Sequence, residues 1–210
     1  MIDLHSFNTP NGRKISIMLE ELGVPYRAHL VHIGRGDQFK PEFLAISPNN
    51  KIPAIVDQEG PGGAPLSIFE SGAILIYLAE KYGKLLPQDP VGRSNTLQWL
   101  FFQVGSVGPM FGQAGHFTRF AKDDIPYAKK RYIDEAGRLL GVMEKQLSNH
   151  KFLAGDEFTI ADIATAPWIA ALDFYGLSDM LEPFPHVSAW LKDFRARPAV
   201  QKVWDMKYEG

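Results

Sequence analysis

Strand signals occupy only the first third of this 210-residue chain, and beyond Gly92 they stop. Any sheet must therefore be drawn from four short segments before residue 70, and the remaining length has to fold as helices. Residues 2–7 read as a strand. After the break Thr9-Pro10-Asn11-Gly12, the apolar residues Ile15, Met18, Leu19 and Leu22 recur at helical spacing, and Gly23 closes that element. Residues 26–33 form a second strand, 41–46 a short helix, 53–56 a third strand, and 66–69 a fourth, reached through Gly60-Pro61-Gly62-Gly63. Residues 71–82 are helical. The order βαβ, α, ββα predicts an α/β thioredoxin-like N-terminal domain over residues 1–84, with helices on both faces of its sheet.

Residues 83–92 contain Pro87 and Pro90 and no periodicity, the composition of a domain connection. From there the chain reads as an all-α C-terminal domain, residues 90–210. One helix is interrupted around Gly105, Gly108 and Pro109, one starts near Ile125, and later ones cover 160–175 and 186–195. Thr159-Ile160-Ala161-Asp162 has the spacing of a capping box, with Asp in place of Glu or Gln. It is read as a folding signal.

Composition narrows the chemistry. Apolar residues make up 45% and aromatic residues 12%, enough for a well-buried core. The formal charge is -2, from 22 basic and 24 acidic residues mixed along the chain, so no basic footprint for nucleic acid is present. No apolar run approaches the roughly 18 to 20 residues that cross a bilayer, and Met1-Ile2-Asp3 leads directly into strand-like sequence, so the expected location is cytoplasmic, with no membrane partner. The chain has no cysteine. Disulfides, zinc-thiolate sites and a protein thiol nucleophile are excluded, no metal is expected, and any sulfur chemistry must use a thiol that the ligand brings.

Two helix starts carry polar side chains of interest. Ser71, where a strand meets a helix, reads as an N-cap, and Thr9 reads as an N-cap ahead of Pro10. Three motifs then fall in one order and spacing: Ser47-Pro48-Asn49-Asn50-Lys51-Ile52-Pro53-Ala54-Ile55, Phe69-Glu70-Ser71-Gly72-Ala73-Ile74, and Phe158-Thr159-Ile160-Ala161-Asp162. Together they resemble the glutathione transferases over essentially the whole chain. Thr9-Pro10-Asn11-Gly12, Gly36-Asp37-Gln38-Phe39 and Leu97-Gln98-Trp99-Leu100-Phe101-Phe102-Gln103-Val104-Gly105 resemble the bacterial Nu class, close to its disulfide-bond reductase members.

The resemblance implies a glutathione site. In similar proteins the bond between Ile52 and Pro53 is cis, which would turn the Ile52 backbone outward to pair with the cysteinyl unit. The helix end at Ser71 would hold the γ-glutamyl carboxylate, with Glu70 accepting from its ammonium. Gln38 would bind the glycyl end or peptide backbone, Lys51 could approach a carboxylate, and Arg131 would contact a glutathione carboxylate. His32 is read as structural or surface. The family places the group that bonds the glutathione sulfur at the first helix start, where this chain offers Thr9 and Asn11, with Ser6 as a rival hydroxyl.

Two glutathione molecules, or one oxidised glutathione, are the implied cosubstrate, with a small disulfide or an electrophile as partner and a homodimer as the assembly. The implied reaction is glutathione-dependent disulfide reduction. Conjugation of electrophiles, reduction of organic peroxides, and a non-catalytic glutathione-binding regulatory role remain the alternatives. The aromatic residues Trp99, Phe101, Phe102, Phe111 and Phe117 are compatible with apolar acceptors or with simple core.

Overall fold

Four paired strands form within residues 1–204, the part of the chain that the computed structural model describes: β1 (Ile2–Ser6), β2 (Tyr26–Leu30), β3 (Ala54–Asp57) and β4 (Leu66–Phe69). The sheet order is β2-β1-β3-β4. β1 and β2 run parallel, which requires a crossover, and α1 (Pro10–Leu22) supplies it. β3 lies antiparallel to both β1 and β4. α2 (Pro41–Leu44) follows β2, and α3 (Ser71–Tyr82) follows β4.

Local chemistry fixes α1. The Thr9 side chain accepts from the Gly12 N–H at 3.1 Å, Pro10 opens the helix without an orphaned donor, and Gly23 ends it at φ 69°. Its Ile15, Met18 and Leu19 are buried with Ile74, Leu75 and Leu78 of α3 and with Ile55. Ala54, the next residue to Ile55 and so on the other face of β3, clusters with Val31 and Phe43. β2 is shorter than its sequence pattern. Val31 N–H gives the last rung to Ser6 C=O at 2.9 Å, and the Asp37 carboxylate then takes the His32 N–H at 3.0 Å. Residues 33–35 and 37–39 consequently wind into 3₁₀ turns about Gly36, at φ 81°.

The chain divides into two compact units: Met1–Lys84 with the segment from Pro198, and Leu85–Arg197. The second unit is helical, with α4 (Pro90–Phe102), α5 (Gly108–Gly115), α6 (Pro126–Leu147), α7 (Ile160–Tyr175) and α8 (Pro185–Arg195). The break expected near Gly105, Gly108 and Pro109 is a π-helical turn over 103–107 that runs straight into α5. A wider turn tolerates the N–H that Pro109 lacks. The glycines serve packing: a Cβ at Gly115 would lie 2.6 Å from the Tyr175 ring, and Gly108 and Gly112 face Trp168.

The capping box forms at α7. Thr159 Oγ1 accepts from Ala161 N–H, and Asp162, fully buried, accepts from Thr159 N–H, Leu153 N–H and Trp190 Nε1–H. One carboxylate thus ties together a loop, a helix start and α8. The last described helix, α9 (Pro198–Trp204), groups with the first unit instead of the helical one that was expected to reach residue 210. Val200 and Val203 are buried, Lys202 pairs with Glu20 of α1 at 2.7 Å, and the Arg13 guanidinium lies 4.1 Å from the Trp204 ring centre.

Candidate functional site

The sheet register brings the expected ligand-binding segments of the first unit to one end. His5, Ala54 and Phe69 stand in one row across β1, β3 and β4, and Ser6 pairs with Leu30 of β2. From this row the chain leaves β1 towards Thr9 and Asn11, leaves β2 towards His32 and Gln38, enters β3 through Lys51, Ile52 and Pro53, and leaves β4 into Glu70 and Ser71. Loops beyond the strand ends are where open α/β sheets bind ligands. The Ile52–Pro53 bond is cis.

At the first helix start, Gly12 sits against the end of β1, with no room for a Cβ between it and the Phe7 carbonyl or the Ser6 hydroxyl. Thr9 N–H donates to that same carbonyl at 2.7 Å. The turn is therefore held from both sides, and Thr9 Oγ1, which accepts from Gly12 N–H, keeps its hydroxyl hydrogen to donate. Asn11 is the second residue of α1, in the positive first turn. Ser6 is fully buried beneath Gly12 and points its hydroxyl at Phe7 C=O, 3.4 Å away.

The second helix start differs from its sequence reading. Glu70, not Ser71, occupies the cap position of α3, with φ 70° and ψ 113° and no side-chain cap hydrogen bond. A non-glycine residue in this region costs of order 1–3 kcal/mol and persists only where its surroundings impose it. Asn49 Nδ2 donates to the Glu70 carboxylate at 3.4 Å. The Ser71 oxygen is turned to a group that the sequence reading missed: Lys14 of α1 is 1% exposed and donates from Nζ to Ser71 Oγ at 3.1 Å. Burial pushes the Lys14 ammonium down to about 7 against the opposing pull of the Glu70 carboxylate.

The other expected ligands are placed less tightly. Gln38 lies in the second 3₁₀ turn, its Oε1 buried with no partner among the described residues. His32 follows β2 instead of lying in it, packs 4.8 Å from the Phe7 ring centre, and has a buried Nδ1 with no partner among the described residues. Lys51 is exposed, and its carbonyl is fixed by Ser47 Oγ at 2.8 Å.

In the second unit, Arg131 of α6 is exposed and lines a cleft of about 790 Å³ with Gly105, Ser106, Met110, Tyr127 and Tyr132. Lys129, Lys130 and Arg138 are each paired with a carboxylate, whereas Arg131 has none within ion-pair distance among the described residues. Of the aromatic group, Phe111 is core, Phe101 is 63% exposed, and Phe117 stacks on Tyr132.

The chain matches the family model "Glutathione S-transferase, N-terminal domain" over residues 9–81 and "Glutathione S-transferase, C-terminal domain" over residues 107–198. It belongs to the glutathione S-transferase family. Among its relatives, the disulfide-bond oxidoreductase YfcG of Escherichia coli is 52% identical over 200 residues, 95% of this chain and 92% of that protein. A solved glutathione transferase family member from Pseudomonas fluorescens, with two glutathione bound, superposes with a TM-score of 0.95 at 52% identity, over 98% of this chain and 93% of that one. The Pseudomonas putida glutathione transferase, solved with one glutathione disulfide per subunit, gives 0.95 at 48% identity, over 99% and 92%. In this glutathione S-transferase no described helix is long and apolar enough to cross a membrane, and no group of three or more metal-ligating side chains forms among the described residues.

Proposed function

We propose that this chain is a glutathione-dependent disulfide-bond reductase of the Nu class, a cytoplasmic homodimer that carries out thiol-disulfide exchange with thiols supplied by its ligand. The observation that carries the reading is a helix start bearing a free hydroxyl hydrogen and an amide side chain, Thr9 and Asn11, in a family member that has no cysteine. The name of the Escherichia coli relative and the glutathione pair or glutathione disulfide held by the two solved neighbours support it.

In this reading Glu70 and Ser71 hold the γ-glutamyl end of glutathione, the Ile52 backbone next to Pro53 pairs with the cysteinyl unit, Gln38 and Lys51 receive the glycyl end, and Arg131 takes a glutathione carboxylate. Thr9 and Asn11 then donate to the sulfur. A free thiol titrates near 8.5, and bringing it to about 7 requires roughly 2 kcal/mol of preference for the anion. Two hydrogen bonds to a charged acceptor supply about 3 kcal/mol or more, and the helix terminus adds about 0.5 kcal/mol.

The bound thiolate attacks one sulfur of a small disulfide. A sulfur-sulfur bond forms as the old one breaks, and the released thiolate takes up a proton. A second glutathione thiolate then attacks the mixed disulfide, giving glutathione disulfide and the second reduced thiol. Two glutathione molecules are oxidised for each disulfide reduced.

The test is steady-state turnover of 2-hydroxyethyl disulfide with glutathione, coupled to glutathione reductase, for the wild type and Asn11→Ala. Turnover that falls about tenfold in a folded Asn11→Ala variant is expected from one lost hydrogen bond to the anion. Tight glutathione binding without turnover by the wild type would sink the reductase reading and leave electrophiles, peroxides or a regulatory role.

A further inference from the structure

Lys14 stands on the apolar side of α1, four residues before Met18 and eight before Leu22, both buried. A methionine would fill that space at no electrostatic cost. Burying an ammonium is expensive, and here the charge is brought against the N-terminus of α3, the positive end of that helix. A charge held there, near the Glu70 carboxylate and against a helix terminus, points to more than packing.

The hydrogen bond to Ser71 shows what the ammonium can do there. A lysine ammonium has donors only, and a serine hydroxyl has one hydrogen and two lone pairs. Because Lys14 Nζ donates to Ser71 Oγ, the Ser71 hydrogen is directed to another acceptor. Ser71 is the first residue of α3, so its hydroxyl stands beside the N–H groups of a first helical turn that have no partner within their own helix. Glu70 precedes it, at a φ of 70° that lifts the chain off the sheet, with its carboxylate held by Asn49. A ligand at this helix start therefore meets amide and hydroxyl donors with an ammonium directly behind them.

We propose that Lys14 is a positioning and specificity-determining residue: it orients the Ser71 hydroxyl as a donor and supplies the charge that makes the α3 terminus select a carboxylate, here the γ-glutamyl α-carboxylate of glutathione. This rests on the glutathione reading of the site. The lowered proton affinity of Lys14 fits the same arrangement, because an anion at the α3 terminus would restore it.

Calorimetric titration of the full chain with glutathione, and with 4-aminobutyryl-cysteinyl-glycine, which lacks only the α-carboxylate, tests the assignment. The wild type should prefer glutathione by about tenfold or more, as a charge-assisted carboxylate contact requires. Lys14→Met should weaken glutathione by about tenfold and leave the decarboxylated peptide within threefold, so that the preference collapses. In turnover, KM for glutathione should rise while kcat stays within threefold, since Thr9 and Asn11 are untouched. Lys14→Gln, which keeps a donor towards Ser71 without the charge, gives the same reading should the methionine variant not fold.

An undiminished preference in either folded variant would overturn the proposal and reduce Lys14 to packing. Failure of the wild type to bind glutathione would overturn the glutathione reading, and this assignment with it. The two failures are distinguished by the protein in which they occur.

Discussion

The most exacting perturbation of the sulfur end of the site is a single methyl group, Gly12→Ala. An added Cβ would stand 2.5 Å from Ser6 Oγ and closer still to the Phe7 carbonyl oxygen, whereas ordinary contact begins near 3.4 Å. The hydroxyl can rotate away. The carbonyl cannot, because it is backbone at the end of β1 and accepts the Thr9 N–H at 2.7 Å. Opening the difference of about 1 Å or more means pushing the start of α1 off the sheet, and the hydrogen bond from Gly12 N–H to Thr9 Oγ1 moves with it.

Overpacking of this kind costs about 1–3 kcal/mol, offset in part by the better helix propensity of alanine, which is worth up to about 1 kcal/mol. The fold should survive with a modestly lower urea midpoint. Catalysis should not, since a displacement of about 1 Å of Thr9 and Asn11, the groups proposed to hold the thiolate, costs on the order of a hundredfold in rate. Glutathione should still bind within about tenfold of wild type, because Glu70 and Ser71 lie on the other helix start and, of the groups at the γ-glutamyl end, Lys14 alone belongs to α1. The assay is kcat/KM with 2-hydroxyethyl disulfide beside calorimetric Kd and the urea midpoint. A Gly12→Ala variant with wild-type kcat/KM would refute the claim that this close approach positions Thr9 and Asn11.

Three further outcomes follow from the same geometry. Glu70→Gly and Glu70→Ala both remove the carboxylate and should both weaken glutathione by about tenfold or more, but the alanine variant keeps a Cβ at φ 70° and should be less stable than the glycine variant by about 1 kcal/mol in urea titrations; equal midpoints would remove the backbone argument. Asp162→Asn puts an amide donor where the carboxylate accepts from Thr159 N–H, Leu153 N–H and Trp190 Nε1–H, and should cost about 1–3 kcal/mol in the urea midpoint, a value refuted by wild-type stability. Because the folded-state pKa of Lys14 is lowered to about 7 from an unfolded value near 10.5, the unfolded chain binds more protons between these limits; wild-type stability should therefore rise relative to Lys14→Met by about 1 kcal/mol per unit between pH 7.5 and 9, and parallel pH curves would contradict it.

What the sequence made legible was local. Pro10 and Gly23 bracket α1, Thr159 and Asp162 start α7, and the fading of strand alternation after residue 69 separates a sheet-bearing unit from a helical one. What it hid depended on side-chain partners that a local pattern does not name. The pattern at 31–33 reads as strand, yet Asp37 captures the His32 N–H and turns the chain. Gly108 and Pro109 read as a break, yet a π-helical turn carries the chain through them, with Gly108 facing Trp168. Ser71 reads as a cap, yet its oxygen belongs to Lys14, 57 residues away. For Lys14 a signal was present: it shares a helix face with Met18 and Leu22, and a charged residue on an apolar face is a conflict between local and global order.

Such conflicts are informative by where they gather. Two of the three non-glycine residues with positive φ in the described chain, Asn50 at 47° and Glu70 at 70°, flank the cis bond and the α3 terminus, and the third, Leu85, opens the other unit. The buried lysine and the buried acceptor of Gln38, which has no partner among the described residues, belong to the loops beyond the same strand ends or to the helices they start. Each departure costs stability on its own. A sequence selected for folding alone would remove such departures one at a time, by Gly at 70 and Met at 14. Their persistence at one end of one sheet is the pattern expected where stability is given up to hold a charged, extended ligand.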